Sequence, residues 1–262
     1  MNRILSFTLR LLGFNRPKPK TRIGLYLRRS ERVLSIVGLL YLGLLIYPQI
    51  LFAHSVTVGD ITLYSRSPLP PEAAQSAVQA AALIERSELA VAGRRERVFI
   101  CDAPWVYRLF APGSPGAFAI SLPITDHVYI AAADLARDTA FRSAPDFNTR
   151  SLSSVMAHEI THGLIRHRLG LFRGVRLPDW VAEGYCDYVA RESSFPESDG
   201  FRLIAAGQRH PSPSFRYFLY RQMVRHLMDD QHLSFAQVLA RAGDAPGVEH
   251  ETQIALQARN TK

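Results

Sequence analysis

Residues 153–163 read SSVMAHEITHG, a stretch in which His158 and His162 stand four positions apart and Glu159 follows the first histidine. On an α-helix, residues i and i+4 lie one above the other on the same face. The two imidazoles can therefore bind one metal ion, and Glu159 can reach a water molecule on that ion. Zinc lowers the pKa of such a water to about 7, so that a carboxylate can take its proton during attack on a carbonyl.

A catalytic zinc usually has three protein ligands and one open position, so a third ligand must come from elsewhere in the chain. Residues 177–187 read LPDWVAEGYCD and predict a new helix that begins near Pro178. Glu183 lies one to two turns into that helix. Asp187 lies four residues further on the same face, where its carboxylate can accept the free ring N–H of a zinc-bound histidine.

The two stretches HEITH and WVAEGYCD resemble the gluzincin group of zinc metallopeptidases, the thermolysin-like proteins with an H-E-x-x-H helix and a downstream E-x-x-x-D helix. The resemblance implies that His158, His162 and Glu183 bind Zn²⁺, that Glu159 is the general base and that Asp187 hydrogen-bonds His158. It also implies a peptide or protein substrate. The W-x-x-E-G form is closer to compact gluzincins than to thermolysin itself.

The order of predicted elements resembles that of the family over about residues 95–240, but only residues 158–187 carry specific motifs. The resemblance implies a small β-sheet before the helices. The edge strand of that sheet, either 117–121 or 127–131, is expected to pair with an extended peptide substrate.

Peptide hydrolysis also needs a donor that stabilises the oxyanion. Related enzymes take this donor from a helix after the third ligand, and the chain offers Tyr217, Tyr220 and His226 there. Tyr217 is the first candidate because it lies at the start of the predicted helix. A purely packing role for this tyrosine stays open, since tyrosines are often partly buried for packing alone.

Two other classes of zinc peptidase do not fit the sequence. A metzincin would need a glycine and a histidine at the positions that Ile165 and Arg168 occupy. An intramembrane zinc protease would carry the motif in a membrane-spanning helix, but Arg150, Arg166 and Arg168 flank this one.

After a first predicted helix, the predicted strands come before the remaining helices, which is typical of an α+β domain. The predicted strands cover 97–101, 117–121 and 127–131, and the predicted helices cover 73–90, 151–169, 178–192, 213–229 and 233–242. We expect a metallopeptidase-like domain over 70–245, preceded by a linker over 54–69 and followed by a tail over 246–262.

The positive charge of the chain is concentrated at its N-terminus. Residues 1–32 hold nine of the 31 basic residues and one of the 23 acidic residues, which leaves 22 of each in the rest of the chain. A nucleic-acid-binding protein needs basic groups clustered on its folded surface. The distribution therefore argues against nucleic acid as a partner.

Residues 33–53, VLSIVGLLYLGLLIYPQILFA, contain no charged residue. About 20 such residues in a helix span about 30 Å, the thickness of the hydrocarbon core. We expect an uncleaved transmembrane anchor over 33–53, since the preceding basic segment is long for a signal peptide. The positive-inside rule then puts 1–32 in the cytoplasm and the catalytic domain outside it, with a bacterial inner membrane as the expected location.

The sequence thus predicts an α+β protein with an N-terminal transmembrane helix followed by a minimal gluzincin domain that hydrolyses peptide bonds. The alternative is a catalytically inactive zinc-binding pseudopeptidase that acts as a membrane-associated binding or assembly factor. Cys101 and Cys186 are the only cysteines, and they can form one disulfide or remain two buried thiols.

Overall fold

The computed structural model describes residues 21–260, with the side chains of the last two left aside. Residues 1–20, which make up most of the expected cytoplasmic segment over 1–32, lie outside the described residues. The chain divides in sequence into two units, Met1–Leu51 and Phe52–Lys262.

The first unit contains helix α1, Arg22–Ile46, followed by a 3₁₀ turn at Pro48–Leu51. Thr21 caps the helix, because its side chain accepts a hydrogen bond from the Gly24 amide at 3.1 Å. The helix ends at Ile46 because Pro48 has no N–H to donate and disfavours a helical conformation at the residue before it.

The prediction of a transmembrane helix over 33–53 is wrong. Within the described range, the structure contains no helix that combines the length and the apolar character needed to cross a bilayer. Only Val33–Ile46 of the uncharged stretch is α-helical, and 14 residues rise about 21 Å, short of the ~30 Å hydrocarbon core.

The second unit is an α+β domain with two small sheets. The five-stranded sheet has the order β1-β2-β3-β5-β4, in which the inner pairs β2–β3 and β3–β5 are parallel and the outer pairs are antiparallel. A second, antiparallel sheet has the order β6-β7-β8. The strands are β1 His54–Val58, β2 Ile61–Ser65, β3 Glu96–Ile100, β4 Ala119–Ser121, β5 Val128–Ile130, β6 Ala132–Asp134, β7 Thr139–Phe141 and β8 Thr149–Ser151.

The segment 54–69, for which the sequence predicts a linker, contains the β1–β2 hairpin. Its two-residue turn is Gly59-Asp60, and Gly59 has a φ of 56°, a left-handed conformation that glycine adopts without strain. The hairpin adds two strands to the sheet and so belongs to the domain rather than to a connection before it.

The second unit also contains helices between and after these strands in sequence. They are α2 Glu72–Ile84, α3 Pro104–Phe110, α4 Leu152–Leu169, α5 Leu171–Val175, α6 Asp179–Ala190, α7 Glu197–Ala205, α8 Pro213–Arg225, α9 Phe235–Ala240 and α10 Ala245–Asn260, with a π-helical turn at His226–Asp230 after α8. Helix α10 covers most of the segment 246–262, for which the sequence predicts a tail, and it buries Val248 and Thr252.

Helix α4 lies in the core of this domain. Its apolar residues Val155, Met156 and Ile160 pack in one cluster with Val98 and Val128 of the five-stranded sheet. Burial on this scale restricts the helix to one position, because a packed core tolerates little change in volume. The residues of α4 that face away from the sheet are therefore held rigidly.

A close contact between α6 and α8 depends on Gly184. A Cβ atom at this position would lie 2.6 Å from the Tyr220 carbonyl oxygen and 2.9 Å from Val224 Cγ2. We expect Gly184→Ala to lower the free energy of unfolding by about 1–3 kcal/mol, because the obstacle is backbone and cannot rotate away. Urea unfolding measures the change.

Gly243→Ala is the matched control for this substitution. Nothing lies within 4 Å of a Cβ atom at Gly243, so its unfolding free energy should stay within about 0.5 kcal/mol of the parent. Equal stability of the two variants would mean that α6 and α8 do not approach as closely as the structure indicates.

Candidate metal centre

Helices α4 and α6 bring three donor groups together. Nε2 of His158 lies 3.2 Å from Nε2 of His162. One carboxylate oxygen of Glu183 lies 3.3 Å from His158 Nε2, and the other lies 3.5 Å from His162 Nε2. The helical spacing explains the first distance, whereas the packing of α6 against α4 produces the other two.

These distances fit a tetrahedral metal site. Zinc binds imidazole nitrogen and carboxylate oxygen at about 2.0–2.2 Å, so two ligands at a tetrahedral angle lie about 3.3–3.5 Å apart. The two imidazole nitrogens lie 3.2 Å apart, and each lies 3.3 or 3.5 Å from a different Glu183 oxygen, which is close to that requirement.

Asp187 holds the His158 ring in position. Nδ1 of His158 donates a hydrogen bond of 2.7 Å to Asp187 Oδ1, which leaves Nε2 free to face the other donors. Asp187 is almost fully buried and also pairs with the Arg150 guanidinium at 3.0 Å. Arg150 in turn donates to the Glu192 carbonyl at 2.7 Å. Arg150 therefore holds the Asp187 carboxylate in place.

The charges around the imidazoles favour a cation. Burial opposes a charged His158 ring, but Asp187 and Glu183 outweigh burial and raise the pKa of His158 to about 10. Burial likewise opposes a charged Glu183, but His162 and His158 outweigh it and hold the pKa of this carboxyl well below its usual range. Both shifts arise because the carboxylates and the imidazoles stabilise each other's charged forms.

Cys186 is a second candidate for the third ligand. Among the described residues, the donor atoms of His158, His162 and Cys186 lie within 4.8 Å of one another, so this group could hold a metal ion. The Cys186 thiol is fully buried, and burial, together with nearby carboxylates, raises its pKa well above the usual value. Cys101 and Cys186 are both unbonded, so no disulfide joins them.

The three donors face a cleft of about 370 Å³. Glu159 and Tyr217 line the same cleft as His158, His162 and Glu183, so five of the six side chains that the sequence places in or beside the site meet there, and Asp187 is not among the lining residues. Burial, followed by the Glu183 carboxylate, raises the pKa of Tyr217, which keeps its hydroxyl protonated and able to donate. Tyr220 and His226 are not among the residues that line this cleft.

One wall of the cleft is the edge of the five-stranded sheet. Strand β4, Ala119–Ser121, lines the cleft and has β5 on one side only. The other predicted edge strand, 127–131, corresponds to β5, which lies between β3 and β4 and has no free edge. Strand β4 therefore has one free edge and lies in the same cleft as the candidate metal ligands.

Three arginines that the sequence does not predict at the site also line the cleft: Arg142, Arg150 and Arg166. Arg166 donates to Asp126 at 2.8 Å and to Ser121 at 3.0 Å. Its position four residues after His162 on α4 was a signal in the sequence, because it shares the face of both histidines. Arg142 directly follows β7 and Arg150 lies in β8, and no local spacing links them to the histidines.

No known family matches the chain, and no curated protein or solved structure was found to be similar to it. The likeness to gluzincins therefore rests on the residues of HEITH and WVAEGYCD alone.

Proposed function

We propose that this protein is a zinc-dependent peptidase that hydrolyses peptide bonds with Glu159 as general base. The observation that carries the proposal is the set of three donors at tetrahedral separations, which faces a cleft with Glu159 beside them and a free strand edge along one wall. A carboxylate adjacent to a metal-binding histidine pair is the arrangement that metal-assisted hydrolysis requires.

Glu183 is the proposed third ligand, with His158 and His162. Its carboxylate lies in the cleft and within 3.5 Å of both imidazoles, whereas Cys186 does not line the cleft. A ligand in the cleft leaves the remaining coordination position open to substrate, as a catalytic site requires. With the buried Cys186 as third ligand, the metal and its open coordination position would lie towards the core instead.

The roles of the other residues follow from their positions. Zinc, when bound, would act as a Lewis acid on water and on the substrate carbonyl. Glu159 accepts a proton from the attacking water and passes it to the leaving amine. The Tyr217 hydroxyl donates a hydrogen bond to the oxygen on which negative charge develops. Strand β4 pairs with the extended backbone of the substrate and holds the scissile bond in the cleft.

Metal analysis of the purified full chain tests the proposal. We expect one zinc per chain in the parent and its loss in His162→Ala, because two remaining ligands bind zinc weakly. Glu183→Ala should also lose most of the metal. Cys186→Ser should keep it, since serine at this position preserves size and removes only the thiol.

Two outcomes of the metal analysis contradict the proposal. Folded parent protein that contains no zinc and takes none up would exclude a zinc peptidase. Loss of zinc in Cys186→Ser with retention in Glu183→Ala would assign the third ligand to the thiol and would favour a closed, structural metal site.

A further inference from the structure

The three cleft arginines differ in how their charges are compensated. Arg150 pairs with Asp187 at 3.0 Å, and Arg166 pairs with Asp126 at 2.8 Å. Among residues 21–260, no carboxylate lies within 4.0 Å of the Arg142 guanidinium. Arg142 is therefore the cleft arginine whose charge has no counterpart within the described protein.

Arg142 is held in place by neutral contacts. Its Nη2 donates to Ser214 Oγ at 3.0 Å and to the Asp146 carbonyl at 3.5 Å. The guanidinium lies over the Phe118 ring, 5.0 Å from its centroid. Ser214 is buried at the start of α8, the helix that carries Tyr217, so these contacts fix the guanidinium on the wall that carries the proposed oxyanion donor.

This arrangement leaves part of the guanidinium unsatisfied. The Nε atom of Arg142 is buried and has no hydrogen-bond partner. Burial, followed by the charge of Arg150, lowers the pKa of Arg142, which reflects the energetic cost of burying this charge near a second one. An anion that enters the cleft would relieve this cost, because a carboxylate supplies both charge and hydrogen-bond acceptors.

We propose that Arg142 determines specificity by binding a carboxylate of the substrate, either an acidic side chain or the C-terminal carboxylate. The proposal rests on the proposed function in taking the ligand to be a peptide. A guanidinium presents paired N–H donors in a plane that matches the two oxygens of a carboxylate. Because Ser214 and Phe118 already hold the side chain, little conformational entropy is lost when the substrate binds.

Peptide binding to the full chain tests this proposal. The probes are N-acetylated hexapeptides in which a single glutamate occupies each position in turn, each paired with its glutamine counterpart and carrying an amidated C-terminus. A second set compares free and amidated C-termini in peptides without acidic residues. Affinities are measured by isothermal titration with zinc-loaded Glu159→Gln protein, in which the peptides should remain intact.

We expect at least one carboxylate peptide to bind about tenfold more tightly than its amide counterpart, the size of one charge-assisted hydrogen bond. Adding Arg142→Gln should remove that preference and leave the affinity of the amide peptide unchanged. Adding Arg137→Gln, which alters an exposed arginine near the start of β7, should keep the preference. The peptide set that shows this preference identifies whether Arg142 binds an acidic side chain or a C-terminal carboxylate.

Binding and hydrolysis distinguish the failure of this proposal from the failure of the proposed function. Equal affinities within every pair, a preference that survives Arg142→Gln, or no binding of any peptide would overturn the role of Arg142. Hydrolysis of the same peptides by the parent protein is measured in parallel. Carboxylate preference without any hydrolysis would leave the role of Arg142 standing and count against the peptidase.

Discussion

Replacing Glu159 by glutamine should lower peptide turnover by about 10²–10⁴-fold while the protein still binds one zinc per chain. Glutamine has the shape of glutamate but cannot accept a proton. Glu159 lines the cleft and is not one of the proposed ligands His158, His162 and Glu183, so the substitution leaves those three side chains in place. Turnover of a fluorogenic peptide and metal content of the same sample are the two measurements.

Glu85→Gln is a suitable control, because Glu85 is exposed at the end of α2 and should not affect turnover. Activity of Glu159→Gln within a few-fold of the parent would show that Glu159 is not the base. A parent protein that binds zinc but cleaves no peptide would instead support the alternative of an inactive zinc-binding pseudopeptidase.

Asp187→Asn should weaken zinc binding by about 10–100-fold and also destabilise the metal-free protein by about 3 kcal/mol. The first effect arises because asparagine is a weaker acceptor for His158 Nδ1–H and no longer fixes the ring. The second arises because the buried Arg150 loses its charged partner. Competition with a chromogenic chelator measures the affinity, and urea unfolding in the presence of a chelator measures the stability.

Asp199→Asn provides the comparison for a surface ion pair. Asp199 pairs with Arg202, and both side chains are largely exposed. The free energy of unfolding of Asp199→Asn should therefore stay within about 0.5 kcal/mol of the parent. Zinc affinity of Asp187→Asn equal to that of the parent would mean that Asp187 does not orient His158. Unchanged stability would mean that the Arg150 charge is compensated by other groups.

The uncharged stretch 33–53 shows where composition was misleading. The absence of charge predicts a continuous helix, but the conformation depends on Pro48, which ends α1 at Ile46. The segment 54–69, for which the sequence predicts a linker, contains two strands. The short runs on either side of Gly59-Asp60 carry a weak strand signal, and their pairing with each other and with β3 makes them strands.

The local parts of the candidate site could be read from the sequence alone. His158, Glu159 and His162 lie within one helical segment, so a spacing of one and four residues fixes their relative positions to within a turn. The same rule relates Glu183 to Asp187 on α6. The contact of α6 with α4, which the resemblance implies, is made in the structure by Glu183 at 3.3 and 3.5 Å from the two imidazoles.

Other features were decided only when distant segments packed together. Strand β4 rather than β5 forms the free edge because β5 pairs on both sides. Cys186 approaches the histidines and Arg142 reaches the cleft because separate elements meet around one core. Spacing along the chain determines which side chains share a helix face, since that geometry repeats every few residues. Contacts between elements depend on how their apolar faces fill a common interior, which no single stretch of sequence specifies.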